Sequence, residues 1–282
     1  MKTAAVLIFL ALCVPALADD CARAASTFDE LAGTRRDAPD SAFTGVTADI
    51  EFSSQIVVGA GESLRARSAA CDSRHGALGL SGVRRTLSGT GRERLFSVYG
   101  RLDLENLRLE RGAALAALGD CDPPYDACMG GAIFVLGGRL TLRDCELREH
   151  AAYYGGALGL WDGATAHVSA CAFASNAATS EGGAISLGGA GVATVTGSTF
   201  ALNQADDFGG ALALNDGSVA IAASAFRRNR AATGGALGVY LGALRLVASS
   251  LEDNGAVNGG AIALVFGNVS LEADWFARNE AT

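Results

Sequence analysis

Lysine is almost absent from this chain of 282 residues. The single copy is Lys2, so every later cationic side chain is an arginine or a histidine. Acidic residues outnumber basic ones, and the formal net charge is −8. A protein that holds nucleic acid through its phosphates needs an excess of basic side chains. The composition therefore argues against a nucleic-acid partner.

Metal-binding cysteine motifs and long apolar segments are missing as well. The sequence contains no CxxC pair and no cluster of cysteine with histidine, which argues against a zinc site. Beyond residue 18, no apolar run reaches the roughly 20 residues that a membrane-spanning helix needs. We therefore expect no metal and no cofactor, and we expect the mature chain to be soluble after export.

The first 18 residues have the pattern of a secretory signal peptide. Lys2 supplies the positive start, residues 4–14 form an apolar core, and Ala16-Leu17-Ala18 is a small-x-small cleavage site. A membrane anchor is the competing interpretation, but the apolar core is short for a spanning helix. The pattern predicts a signal peptide at 1–18 and a secreted, extracellular or cell-surface protein.

A glycine-glycine-alanine word, followed each time by an isoleucine or a leucine, recurs along the chain at steps of 25 to 27 residues. The six copies begin at Gly130, Gly155, Gly182, Gly209, Gly234 and Gly259. A constant period of this length is typical of solenoids, in which each repeat stacks on its neighbours.

Each glycine word opens a unit of three short segments. The first two alternate between inward and outward residues, as Ile185-Ser186-Leu187 and Ala193-Thr194-Val195 do, and this alternation indicates strands. The third contains a closing word, Phe or Leu followed by x-x-Asn. Its asparagines are Asn176, Asn203, Asn229, Asn254 and Asn279, and His150 stands at this position in the first copy.

Three strands and three turns in each unit predict an all-β fold, a right-handed parallel β-helix (solenoid) with 25–27 residues per coil. Clear repeats cover residues 130–282, and a weaker form of the pattern extends the predicted β-helix back to residue 44. Residues 19–43 lack the period and carry more charge, so we predict an N-terminal cap or irregular segment there.

Stacking explains most of the repeated residues without any function. The closing asparagines can form a structural ladder of side-chain hydrogen bonds from coil to coil. A second column of small residues precedes the closing aromatic and contains Cys145, Cys171, Ser198, Ser224 and Ser249. We expect Asp274 to interrupt this column.

Six cysteines remain after the predicted cleavage, and an exported chain can form disulfides. Cys121 and Cys128 bracket a turn-rich segment, which predicts a local disulfide between them. The alternative is two free or differently paired thiols. Cys145 and Cys171 fall on neighbouring coils, within disulfide reach on distance alone. Whether that second bond forms stays open.

A further glycine pair would be due directly after residue 282. This spacing suggests a truncated array whose last coil is open to solvent. We expect self-association through this open C-terminal coil.

The two words together, GGA with Ile or Leu and FxxN, resemble the repeat of the chlamydial polymorphic outer membrane proteins. The resemblance covers residues 96–282, in which five glycine words are each followed by a closing word. It implies a pectin-lyase-like β-helix at a cell surface and a role in adhesion. It also implies an outer-membrane location if the chain belongs to a longer autotransporter. Similar repeats also resemble predicted β-helix proteins of marine algae.

The first functional hypothesis is a non-catalytic, adhesin-like binding scaffold. The outward residues of the first strand are small and predict a flat floor: Gly159, Ser186, Ala213, Gly238 and Ala263. Trp161 and Tyr240 stand beside this floor three coils apart, and aromatic rings stack on the C–H faces of sugars. We predict them as ligand-stacking residues for a glycan or a host or cell-surface protein. Two isolated aromatics without a ligand are the alternative.

The second hypothesis is a pectin-lyase-like carbohydrate-active enzyme, either a polysaccharide lyase or a glycosidase. Asp206 and Asp207 are adjacent carboxylates of the kind that glycosidases use. No Gly-His-Gly word accompanies them, and the lack of lysine removes the Arg-x-Lys substrate clamp of polygalacturonases. A calcium-dependent lyase stays open, since calcium needs only a few carboxylates. We assign no catalytic residue.

Overall fold

The computed structural model describes residues 24–34, 43–72, 77–80, 83–115, 121 and 127–282. The predicted signal peptide, residues 1–18, lies outside the described residues. The described chain is a right-handed parallel β-helix of about eight coils, which confirms the predicted fold class. Each coil contributes one strand to each of three long sheets.

Sheet 1 is formed by the strands that follow the glycine words, and its eight described strands are Ile56–Val58, Phe96–Val98, Ile133–Leu136, Leu158–Trp161, Ile185–Leu187, Leu212–Leu214, Leu237–Val239 and Ile262–Leu264. Sheet 2 follows in each coil and contains Ala24–Ala25, Thr44–Val46, Ser63–Asp72, Arg101–Glu105, Arg139–Arg143, Thr165–Ser169, Val192–Thr196, Ser218–Ala222, Ala243–Val247 and Asn268–Glu272. An eleventh strand, Ala77–Leu80, pairs antiparallel with Ser63–Asp72.

Sheet 3 carries the closing words and contains Ile50–Glu51, Arg85–Ser88, Leu107–Glu110, Glu146–Arg148, Ala172–Ala174, Thr199–Ala201, Ala225–Arg227, Ser250–Glu252 and Trp275–Ala277. Short strands between the closing word and the next glycine pair form two smaller sheets. These strands are Ala113–Ala114, Ala151–Tyr154, Ala177–Glu181 and Gln204–Ala205, and then Gly255–Ala256 and Glu280–Ala281. The sequence pattern did not predict this fourth side of the coil.

The coils stack in the register that the repeat alignment predicts. Ile133 pairs with Leu158 on one side and with Phe96 on the other, so the coil without a glycine pair belongs to the same stack. Inward side chains fill the interior, and the closing aromatics form a stacked column. The rings of Phe173 and Phe200 have centroids 4.7 Å apart, and those of Phe200 and Phe226 are 4.6 Å apart.

The asparagine ladder runs along the corner after sheet 3. Asn203 accepts from the backbone N–H of Asn176 at 3.1 Å and from Nδ2 of the same residue at 2.9 Å. Nδ2 of Asn203 donates in turn to the carbonyl of Phe173 at 3.0 Å and to Oδ1 of Asn229 at 3.0 Å. The residue before each ladder position is left-handed, for example Leu202 with φ 58°. The ladder bonds offset the cost of that backbone conformation.

A second ladder follows the small-residue column at the corner before sheet 3. The backbone N–H of Cys171 donates to Oγ of Ser198 at 3.1 Å, and the pattern repeats along the column. Asp274 continues this ladder, because its Oδ1 accepts the N–H of Ser249 at 2.8 Å. The prediction that Asp274 interrupts the column was therefore wrong. The position requires a short side chain that accepts a hydrogen bond, and this side chain can be charged.

The structure shows the outcome for four of the cysteines. Cys121 and Cys128 form a disulfide with 5.5 Å between their Cα atoms. Residues 122–126 between them lie outside the described residues. Cys145 and Cys171 are buried free thiols, so the second pairing is not formed. Burial raises the pKa of the Cys145 thiol well above its usual value.

The glycine pairs have two different causes. Gly155 has φ 63°, and a Cβ there would collide with the carbonyl oxygen of Leu158. Gly156 is conformationally ordinary, but a Cβ would collide with the carbonyl oxygen of Gly183 on the next coil. The first glycine thus serves the corner and the second serves the close approach of neighbouring coils.

A short helix, Phe28–Gly33, lies at the N-terminal end of the described stack. Thr27 and Glu30 form a capping box at its start, and Leu31 is buried in the core. Phe28 contacts Phe52 edge to face at 5.3 Å. Across the described residues, no helix has the length and apolarity needed to cross a membrane.

The last described coil exposes apolar side chains at the other end of the stack. They include Leu264, Phe266, Leu271, Trp275 and Phe276. Leu264, Leu271 and Phe276 occupy positions whose equivalents in earlier coils are buried.

Candidate functional site

The predicted flat floor on sheet 1 is covered, so that part of the hypothesis was wrong. Ser186 and Ala213 point away from the core and are nevertheless fully buried. The cover is the residue before each glycine pair, and these residues form a continuous column of parallel pairs: Met129, Tyr154, Glu181, Phe208, Thr233 and Asn258. We call this the cover column.

Side chains of the cover column reach over the following coil. The ring of Phe208 lies against Gly238, where an added Cβ would collide with it, and Met129 lies against Gly159 in the same way. The small residues of the floor are therefore explained by the side chains packed on them.

A groove of about 340 Å³ lies beside the cover column, and we call it the sheet 1 groove. Its aromatic and polar lining consists of Tyr154, Trp161, Glu181, Ser186, Asn215 and Tyr240, with Met129 and Leu241 adding apolar surface. The structure thus brings the two predicted stacking residues, Trp161 and Tyr240, to one groove.

The two aromatics hold different positions in this groove. The Trp161 ring covers Gly188 on the next coil, and a Cβ on Gly188 would collide with it. Trp161 is half-buried, whereas Tyr240 is 46% exposed and contacts Phe266 edge to face at 5.7 Å. The two coils between these aromatics contribute Ser186 and Asn215 to the groove lining. The rings therefore line a recess with a polar middle.

Two polar groups face this recess. The Glu181 carboxylate accepts from Nδ2 of Asn215 at 2.6 Å. Burial raises the pKa of the Glu181 carboxyl, and the charge of Asp207 raises that pKa further, against the bond from Asn215. Ser186 is fully buried, and its Oγ has no hydrogen-bond partner in the structure. An unpaired buried hydroxyl is uncommon in folded proteins.

The adjacent carboxylates suggested for the enzyme hypothesis are not in the groove lining. Asp207 accepts from Oγ of Ser180 at 3.2 Å, and Asp206 is exposed. Glu181 is the carboxylate that lines the recess.

The histidines have separate structural surroundings. His150 is buried in the asparagine ladder, and Nδ1 of His167 lies 2.7 Å from Oγ1 of Thr194 on the outer face of sheet 2. Among the described residues, no three His, Cys, Asp or Glu side chains are grouped to hold a metal ion.

Sequence reasoning missed Tyr154, Glu181 and Asn215 as groove residues. A signal for the first two was present, since the residue before the glycine pair is large in the first four copies while the floor residue is small from Gly159 onward. Reading those two columns together would have indicated a covered floor.

No protein-family model matches the chain, and neither the curated proteins nor the solved structures contain a significant match to it. The interpretation of the groove therefore comes from its own residues.

Proposed function

We propose that this protein is a secreted or cell-surface β-helix scaffold that binds a glycan in the sheet 1 groove without catalysing a reaction. The observation that carries the proposal is that Trp161 and Tyr240, three coils apart in sequence, line one groove. Sugar rings have apolar C–H faces and polar edges, so they suit a recess with aromatic ends and a polar middle.

The size and lining of the groove agree with a small binding site. Its volume falls near the lower end of the roughly 300–1,000 Å³ found for ligand pockets. Such pockets combine apolar walls with a few convergent polar groups. Here Glu181, Ser186 and Asn215 are the convergent groups.

The predicted signal peptide and the resemblance to the chlamydial polymorphic outer membrane protein repeat support a location at or outside the cell surface. A pectin-lyase-like β-helix that presents a groove along its side could serve adhesion, with a glycan of a host or cell-surface protein as partner. Outer-membrane attachment belongs to the same proposal if the chain is part of a longer autotransporter.

A glycan array tests the proposal directly. We expect the wild-type chain to bind a set of glycans and Trp161→Ala with Tyr240→Ala to lose that binding by about tenfold or more, since each stacking contact contributes about 0.5–1.5 kcal/mol beyond area burial. Trp275→Ala is the matched control, because Trp275 is 64% exposed and lies outside the groove. Unchanged binding by the double variant would overturn the proposal.

One observation favours the enzyme alternative. Glu181 is a partly buried carboxyl with a raised pKa in a groove, and perturbed carboxyls of this kind often act as acids. A glycosidase needs a second carboxyl across the scissile bond. Glu181 is the only carboxylate among the described groove residues, so binding remains the better-supported function. Release of new reducing ends from polysaccharides by a glycosidase, or of unsaturated products from acidic polysaccharides by a lyase, lost in Glu181→Gln, would favour the enzyme instead.

A further inference from the structure

The sheet 1 groove carries a negative charge that no basic side chain of its described lining balances. Its described lining contains the Glu181 carboxylate and no arginine, lysine or histidine. Glu181 also has no cationic partner among the described residues, and its side-chain hydrogen bond comes from the amide of Asn215 at 2.6 Å. A partly buried carboxylate without a cation carries a desolvation cost that a bound cation would relieve.

Nearby charge points in the same direction. Asp207 is close enough for its charge to act on Glu181, so two carboxylates place negative charge near the recess. A ligand with a carboxylate would meet repulsion from both groups. A ligand with an ammonium group would be attracted by both.

The aromatic lining favours the same kind of ligand. The faces of tryptophan and tyrosine rings carry negative potential and attract cations within about 6 Å of the ring. Tyr154, Trp161 and Tyr240 all line this recess together with the carboxylate. Aromatic rings beside an unpaired carboxylate form a suitable environment for a desolvated ammonium group.

Ser186 supplies independent evidence that a polar ligand completes the groove. Ser186 is one of the residues that line the recess, and its Oγ is fully buried and lacks a partner in the structure. A buried hydroxyl without a partner is unfavourable, and a ligand hydroxyl would satisfy it after a small movement of the side chains that cover the floor. The ligand therefore needs an ammonium group and at least one hydroxyl.

We infer that the groove selects a sugar that carries a free, protonated amino group, with the ammonium on Glu181, the ring against Trp161 or Tyr240, and a hydroxyl on Ser186. This inference rests on the proposed glycan-binding function and specifies its ligand class. It assigns Glu181 as the residue that determines specificity.

Titration calorimetry with three oligosaccharides of equal length tests the inference. The probes are a β-1,4-linked glucosamine tetramer, the N-acetylglucosamine tetramer with the same backbone but no charge, and a tetramer of galacturonate. We expect the glucosamine tetramer to bind at least about tenfold more tightly than the acetylated one, as a charge-assisted hydrogen bond would provide. The galacturonate tetramer should bind most weakly.

Variants separate the specific carboxylate from net charge. Glu181→Gln keeps the side-chain shape and should remove the preference for the free amine, measured as the ratio of the affinities for the free and the acetylated tetramer. Asp206→Asn removes the same charge from an exposed residue outside the groove and should leave the preference intact. Circular dichroism and the unfolding midpoint confirm that each variant is folded.

The outcomes distinguish this inference from the proposed function. If the acetylated or the acidic tetramer binds as tightly as the free amine and Trp161→Ala abolishes that binding, the inference fails and glycan binding stands. An equal effect of Asp206→Asn and Glu181→Gln would also overturn the inference. If none of the tetramers binds and the glycan array is negative, both are overturned.

Discussion

His150 accepts the backbone N–H of Gly112 through Nδ1, with 2.9 Å between the two nitrogens. Its Nε2 lies 3.0 Å from the carbonyl oxygen of Leu109 and therefore carries the proton and donates. The imidazole thus performs both ladder roles that an asparagine side chain performs on the later coils. Burial lowers the pKa of His150 from 6.5 to about 4.

This pKa predicts a loss of stability in mild acid. The unfolded chain takes up a proton near pH 6.5 while the folded chain resists until about pH 4. The contribution of neutral His150 to the free energy of unfolding is therefore complete above pH 6.5. It falls by about 1.4 kcal/mol per pH unit as the pH drops from 6.5 to about 4. His150→Asn should fold and should lack this slope. Urea unfolding of both proteins between pH 7 and pH 4 measures the difference, and parallel curves would contradict the assignment.

The asparagine ladder should be costly to break at a single coil. Asn203→Ala leaves the N–H of Asn176 and the carbonyl of Phe173 without their partners at a buried corner. We expect the free energy of unfolding to fall by about 2–4 kcal/mol. Gln204→Ala, at the neighbouring exposed position, should change it by less than about 0.5 kcal/mol. Equal denaturation midpoints for the two variants would show that the ladder contributes little.

Gly188 should control the position of Trp161. Gly188→Val places a side chain where the Trp161 ring lies, so the ring should move into solvent. In a Trp275→Phe background, Trp161 is the only tryptophan, and its emission should shift to longer wavelength. Glycan affinity should fall by about tenfold if the ring stacks on the ligand. Ala220→Val, on the exposed face of sheet 2, is the control. Unchanged emission from the Gly188 variant would show that the ring does not depend on this space.

The exposed last coil should cause concentration-dependent association of this 282-residue chain. Leu271 and Phe276 expose apolar surface at positions that are buried on earlier coils, and strand edges pair readily with other chains. Arginine at both positions should shift the sedimentation profile toward monomer. Leu202→Arg, at an exposed apolar residue three coils earlier, should not. A wild-type chain that sediments as a single monomer at micromolar concentrations would contradict this prediction.

The sequence predicted the coil length, the three long sheets and the register from residues whose neighbours are their own repeats. Phe200 meets Phe173 and Phe226, and Asn203 meets Asn176 and Asn229, so alignment alone places them. Interior columns of this kind are set by backbone register, which a fixed repeat specifies.

The groove could not be predicted in the same way, because it depends on how far individual side chains extend. Met129 and Phe208 cover the floor of the following coil, and Trp161 lies over Gly188. Asp274 continued a ladder because a carboxylate oxygen accepts a backbone N–H as well as a hydroxyl does. Each depends on the direction of one side chain between coils, which the alternation of the strand does not specify.

The cover column gives the molecule a way to change its binding surface one coil at a time. Each coil supplies one residue before its glycine pair and one residue at the end of its sheet 1 strand, and the ladder bonds recur although these two residues differ from coil to coil. Exchanging or duplicating a coil would therefore change the side chains that line one part of the groove while the scaffold stays the same. The groove can be regarded as a linear series of exchangeable side-chain pairs. Trp161, Glu181, Asn215 and Tyr240 are one combination of residues that this scaffold can carry.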